Sequence, residues 1–434
     1  MTIDQLREFR QRVYESMGRA RDAQFELIDA LLLNQEGRSV VELSLSPVFR
    51  RGWASVYAAL SDGQVERGQL ERLYVRHLPD RSRPVWALDS TLWPRPDAQT
   101  LPERGFHHSP TRIKGNNPIG IGHAYSTLVS VPEASGSWAL PLAHEWIGGD
   151  QTALEVGAQQ VTRLAALSPS RPLVTMDSAY TGPAWLKATI DGQFDSLGRL
   201  RPNRVVYRQP PPYPGFGRPA VHGPALKLRR AETWFSPDEA LCVRDPKLGR
   251  LEISVWHHMH FREAPNHPVT VIHIHRLEAR GTRRDPAHLW LMYVGQSSLH
   301  LATDWRFYLR RYAIEHFYRF LKQDLLWTSF AGTALHNTQL WSILVTIAYW
   351  LLFLARQLVF DRTRPWEKAA PTPPALSPGR VKRALPALWS QIATPAAPCK
   401  TRGKSSGRPD GFQPPPRPRY AILKKRSKRL PKAA

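Results

Sequence analysis

Cysteine is almost missing from this chain: Cys242 and Cys399 are the only two among 434 residues. That excludes a disulfide framework and a cysteine-built zinc site, and it fits a cytosolic protein in a reducing compartment. Acidic residues are also scarce, 36 Asp and Glu against 60 Lys and Arg, for a net charge of +24. Such an excess points to a polyanionic partner, nucleic acid ahead of an acidic membrane surface. Met1 to Arg12 is charged throughout and lacks an apolar run, so no secretory segment is read there. One apolar run stands out, Leu340 to Ala355, broken only by Ser342 and Thr346. It falls short of the ~20 residues that span a bilayer, and Tyr349 and Trp350 lie inside it, so it reads as a buried core helix.

What is present suffices for a large core: 42% hydrophobic and 10% aromatic residues exclude wholesale disorder. The length predicts two to four structural units. Residues 1–80 read as helices with charged faces, the first capped by Asp4, with Leu6, Phe9 and Val13 on its apolar side. Arg50, Arg51, Arg67, Arg72 and Arg76 leave two readings open, a small DNA-binding unit or a solvated bundle. From Arg83 the pattern turns to strands: Val85 to Leu88, Gly122 to Val131 and Trp138 to Trp146. A helix over Gln151 to Leu167, a strand at Pro172 to Met176, a helix from Pro183 and a strand near Arg204 to Tyr207 complete a mixed α/β order.

Gln209-Pro210-Pro211-Pro212 then breaks the chain. Residues 208–303 carry alternating runs (Ala225 to Phe235, Leu251 to Arg262, Val269 to Leu277, Leu289 to Val294) that predict an inserted antiparallel β segment. Helical periodicity returns over 304–360. Residues 361–434 hold 18 Lys or Arg, three acids and 14 prolines, a composition read as a disordered basic tail. The expected units are therefore 1–80, 81–207, 208–303, 304–360 and the tail.

Two aspartates follow predicted buried strands, Asp89 in Trp-Ala-Leu-Asp-Ser-Thr and Asp177 in Val-Thr-Met-Asp-Ser-Ala-Tyr. A carboxylate there projects at the sheet's edge, where it can hold a cation, although Asp also caps helices and starts turns. Tyr308, Arg311, Glu315 and Lys322 are spaced to share one predicted helix, within an arc of about 60° at ~100° per residue. Such a face can aim Glu315 at a metal while Arg and Lys grip phosphate oxygens; a surface helix with an i,i+4 Arg–Glu pair would look alike.

Tyr308-x2-Arg311-x3-Glu315-x6-Lys322 resembles the signature of the YREK subgroup of DDE transposases from bacterial insertion sequences, with every spacing intact. Asp177-Ser178-Ala179-Tyr180-Thr181-Gly182 is similar to that family's second acid followed by a small residue, an aromatic and a glycine, with Thr181 interposed. The likeness covers roughly residues 83–327. It implies an RNase H-like core in which Asp89, Asp177 and Glu315 are catalytic and bind two Mg²⁺ ions, with Mn²⁺ able to substitute. It further implies that Tyr308, Arg311 and Lys322 bind the phosphates of double-stranded DNA, both transposon ends and target. The enzyme would cleave and join DNA as a homodimer or larger assembly, free of membrane, at the nucleoid of the bacterial cytoplasm. A catalytically silent relative acting as a repressor or inhibitor is the alternative.

The histidines read differently. Alternation places His258 with His260 on one strand face and His273 with His275 on another, near His257. With no acid pattern beside them, half-exposed positions near DNA suit them better than a zinc site. Trp234, Trp256 and Trp290 read as core packing.

Overall fold

The computed structural model describes residues 1–113, 117–282, 285–364, 366, 376–400 and 407–424. Ten helices and twelve strands occur among them. The helices α1 (Ile3–Glu15), α2 (Arg21–Leu33), α3 (Ala54–Ser61) and α4 (Arg67–Arg76) precede strands β1 (Val85–Pro94), β2 (Gly105–Ile113), β3 (Asn117–Ser130) and β4 (Leu140–Trp146). Next come α5 (Ala153–Ala165), β5 (Leu173–Met176), α6 (Pro183–Ala188), β6 (Asp195–Arg199), β7 (Val205–Tyr207) and β8 (Ala225–Lys227). The chain continues through β9 (Glu239–Asp245), β10 (Gly249–Phe261), β11 (Ala264–Arg276) and β12 (His288–Val294) to α7 (Arg306–Arg310), α8 (Ala313–Gln323), α9 (Leu335–Ala355) and α10 (Pro378–Trp389).

The strands form one mixed sheet in the order β2-β3-β1-β5-β6-β12-β11-β10-β7-β8, with β4 also on β3 and β9 on β10. Its heart is an RNase H-like set. β1 pairs antiparallel with β3 and parallel with β5, and β5 pairs parallel with β6. Leu173 to Met176 are fully buried, as are Val85 to Leu88, which is why both strands read as continuous apolar runs.

The last parallel strand is β6, not the Arg204 to Tyr207 run, which pairs outside the core with β8 and β10. Asp195-Ser196-Leu197-Gly198-Arg199 lacks a strand-like composition because its burial is supported from elsewhere. Asp195 is held by Arg83 at 3.1 Å and Arg171 at 2.7 Å, and a Cβ at Gly198 would meet Thr181 and Met176. The alternating segment predicted at Ala225 to Phe235 is shorter than expected, only Ala225–Lys227 being strand. Trp256 and Trp290 are buried and stack at 5.7 Å, as core packing requires. His273 and His275 stack at 6.2 Å on one face, but His258 and His260 do not share a face. A bulge between Trp256 and Met259 puts His258 at φ 52°, leaving it exposed and His260 buried.

α9 is the axis of the helical side. Its most apolar stretch is 89% buried, so although long and apolar enough to cross a membrane, it sits inside the protein. The N-terminal helices are not a solvated bundle: α1, α2 and α3 pack on α9, and Phe25 to Leu32 of α2 are buried. Thr2, rather than Asp4, caps α1, in a reciprocal pair with Gln5.

The expected disordered tail carries regular structure in its described part, while residues 365, 367–375, 401–406 and 425–434 lie outside the described residues. α10 buries Val381, Leu385, Leu388 and Trp389 against α2 and α9. Trp389 Nε1 donates to Asp29, which also takes both Nη atoms of Arg10 at 2.6 and 2.9 Å in a pair almost closed to solvent. Further on, Leu423 donates its backbone N–H to Arg104 O. A short amphipathic helix survives in a proline-rich context because its prolines fall at N1 and one interior position, leaving the apolar i, i+4, i+7 spacing intact.

Candidate active site

The register of the two central strands positions the first two acids. Leu88 pairs with Met176 in the parallel ladder, so Asp89 and Asp177, the next residues, lie side by side on strands ~4.8 Å apart. After Asp177 the chain must turn at once. Tyr180 is buried against Trp185, Gly182 adopts φ 143°, and Pro183 opens α6. The Ser-Ala-Tyr-Thr-Gly run is thus a strand-to-helix elbow that holds the second aspartate at the sheet's edge.

The third acid approaches from α8, which packs on β1. Tyr308 to Lys322 do not form the single predicted helix. α7 stops at Arg310, and i→i+3 bonds tighten the backbone from Arg311 to Tyr308 and from Glu315 to Tyr312. The turn still delivers the basic residues. Arg311 Nη1 lies 2.8 Å from Asp89 Oδ2, and Lys322 Nζ donates to Thr91 Oγ1 at 2.8 Å. Tyr308 is buried, with the Arg311 guanidinium 6.0 Å from its ring centre. Glu315 is exposed at the rim.

Electrostatics join these groups into one neighbourhood. Burial is the main cause that pushes the Asp89 carboxyl up to about 6; Arg311 and the Ser90 N–H pull it down, and the charges of Glu315 and Asp177 push it further up. Burial lowers Lys322 against the opposing pull of Glu315. Tyr308 is raised, chiefly by burial, and stays protonated. Arg311 is raised despite burial, because Asp89, Tyr308, Asp177 and Glu315 surround it.

Several residues here had no signal of their own. Thr91 shares the β1 face of Asp89 two positions on, a relation that strand alternation alone reveals. Thr127 of β3 stands opposite Asp89, and its hydroxyl meets His144 at 2.8 Å; burial first, then Lys322, drives His144 down to about 3. Tyr180 and Tyr318 bring buried hydroxyls towards the acids, Tyr180 beside Ser90 and Ser126 and Tyr318 beside Thr127, and Arg311 Nε has no hydrogen-bond partner.

The ionised carboxylates of Asp89, Asp177 and Glu315 are the oxygen-donor chemistry that a hard divalent cation takes. The spacing, however, is not a closed chelate: among the described residues, no three His, Cys, Asp or Glu side chains stand close enough to hold one ion. Asp89 is engaged by Arg311 instead.

A mixed RNase H-like sheet with paired aspartates at the ends of adjacent parallel strands defines a metal-dependent nuclease class. The model of the DDE superfamily endonuclease family matches residues 12–259, more than half of the chain, and the chain belongs to that family. Enzymes of this superfamily use divalent metals and act on DNA. The match contains Asp89 and Asp177 and ends before Glu315. No curated protein matches the sequence.

Proposed function

We propose that this chain is a DNA transposase of the YREK kind, which binds the ends of its own mobile element, cleaves them and joins them to target DNA. The observation that carries the reading is the side-by-side placement of Asp89 and Asp177, with Arg311 reaching Asp89 from the motif that also contains Glu315. Asp89, Asp177 and Glu315 would hold two divalent cations, Mg²⁺ with Mn²⁺ able to substitute. Two such ions supply an activated oxygen nucleophile and a stabilised leaving 3′-oxygen for in-line displacement at phosphorus.

The protein's own residues do the positioning. Arg311 is a planar fork suited to a phosphodiester's non-bridging oxygens, and Lys322 is a point charge steadied by Thr91. Tyr308, protonated, donates a hydrogen bond at the same edge. Holding the phosphate in line matters because a misplacement of about 1 Å can cost ~100-fold in rate. The partner is duplex DNA, bound by two or more copies that bring both ends together.

The silent reading, a repressor or inhibitor, draws on one observation: Asp89 is paired with Arg311 and the acids stand apart. Nicking of a duplex bearing the element's terminal repeats separates the two. Mg²⁺-dependent nicking by the wild type, lost in Glu315→Gln with binding retained, supports the transposase. Tight end binding without nicking in Mg²⁺ or Mn²⁺ supports the repressor.

A further inference from the structure

At the opposite end of β1 from Thr91 lies a cavity of about 670 Å³ between α4, the 77–84 connection, the end of β3 and Arg310. Five arginines line it, Arg72, Arg76, Arg81, Arg83 and Arg310, against a single carboxylate, Asp80. Arg72 and Arg76 are one helical turn apart on α4, and both are exposed. Arg83 is committed to Asp195 and Asp304. The other four have no carboxylate within ion-pair distance among the described residues.

Two of them are fixed without being neutralised. Arg310 donates from Nε to Glu133 O at 3.1 Å and from Nη2 to Val131 O at 2.6 Å, while Arg81 Nη2 donates to Pro132 O at 3.1 Å. Carbonyls orient a guanidinium but leave its charge unpaired. Burial first, then the charge of Arg81, disfavours protonated Arg310, the mark of a positive cluster lacking its counter-charge.

Guanidinium forks in this number match phosphate oxygens, and a chain of net charge +24 favours a polymer of phosphates. Position adds the register. Val85 lines the cavity and Asp89 lies four residues along the same face of β1, ~13 Å at ~3.3 Å per residue. A span of that size amounts to a few nucleotides of one strand, since successive phosphates advance ~3.4 Å along the axis while also winding around it. The neighbours Arg310 and Arg311 thus serve opposite ends of the span, Arg311 at the acids and Arg310 in the cavity.

We propose that this cavity is a second phosphate-binding site, which grips the backbone of the bound DNA a few nucleotides from the bond placed at Asp89. The position relative to the scissile bond rests on the transposase reading; the phosphate chemistry does not. Binding is therefore measured in EDTA, for the full chain and for Arg76→Ala/Arg81→Ala, with Arg72→Ala/Arg76→Ala as a second variant. On a random duplex, each double variant should lower the slope of log K against log salt by ~1.8, at ~0.9 per lost contact. Inorganic pyrophosphate should compete with DNA on the wild type and markedly less on the variants. On an end duplex scanned with neutral methylphosphonate linkages, wild-type affinity should drop for linkages at one position a few nucleotides from the cleavage point, and the variants should be indifferent there. An unchanged salt slope in both folded variants overturns the site. Pyrophosphate binding with an unchanged DNA slope overturns the DNA assignment and leaves a site for free anions. A lowered slope with no position-dependent methylphosphonate effect overturns the register.

Discussion

Replacing Arg311 with Ala should do two things at once, because the residue both faces the substrate edge and pairs with Asp89 at 2.8 Å. With the pair only 16% and 18% exposed, solvent screens it weakly. A unit charge ~4 Å away at an effective dielectric of ~20 is worth ~4 kcal/mol, and even half of that moves a carboxyl by ~1.5 units. Starting from about 6, the Asp89 carboxyl of the variant would titrate near ~7.5. At pH 7 the wild type then carries a proton on roughly one Asp89 in ten, and the variant on roughly three in four. The sign follows: an acid raised by burial is favoured protonated in the folded state below its unfolded value, and that advantage is lost as pH rises through the folded value. Cleavage by the wild type should accordingly appear as pH rises through about 6. Mn²⁺ calorimetry at pH 7 in two buffers of different ionisation enthalpy reads protons released on binding, expected to increase by ~0.6 per site in Arg311→Ala. Single-turnover cleavage should be at least ~100-fold slower, with only partial rescue by Arg311→Lys, since an ammonium lacks the bidentate fork. Wild-type cleavage together with unchanged proton release would refute the coupling.

Three further outcomes follow from the packing. Lys382 is buried, donates to Asp324 O at 2.6 Å, and is driven from 10.5 to about 8, chiefly by burial. Lys382→Met should thus raise the unfolding free energy at pH 7 by ~2 kcal/mol, after discounting the lost hydrogen bond, with the gain shrinking as pH approaches 10. Asp29→Ala leaves Arg10 buried and unpaired and should cost about 3–5 kcal/mol in denaturant unfolding. Truncation after residue 360 removes α10 and should abolish cooperative unfolding.

The parallel pair at the centre was legible because β1 and β5 are buried on both faces and therefore write themselves as apolar runs ending in aspartate. α9 was legible for the same reason. β6 was hidden, because Asp195 is made tolerable by Arg83 and Arg171, residues distant in sequence. α10 was hidden by averaging: a strongly basic, proline-rich stretch masked Val381, Leu385 and Leu388, whose spacing marks a buried face. Within the site, residue types and spacing pointed to Asp89, Asp177, Arg311 and Lys322, which the structure brings to one sheet edge with Glu315 at its rim. The Arg311–Asp89 contact and the Thr91 partner of Lys322 depend on where α8 docks, and periodicity does not encode docking.

The central claim is that Asp89, Asp177 and Glu315 act as one metal-dependent centre. Its most direct test is nicking of an end duplex in Mg²⁺ by Asp89→Asn, Asp177→Asn and Glu315→Gln, alongside end binding in EDTA. Each variant should lose nicking while binding the end with near wild-type affinity. Normal nicking by any one of the three would contradict the claim.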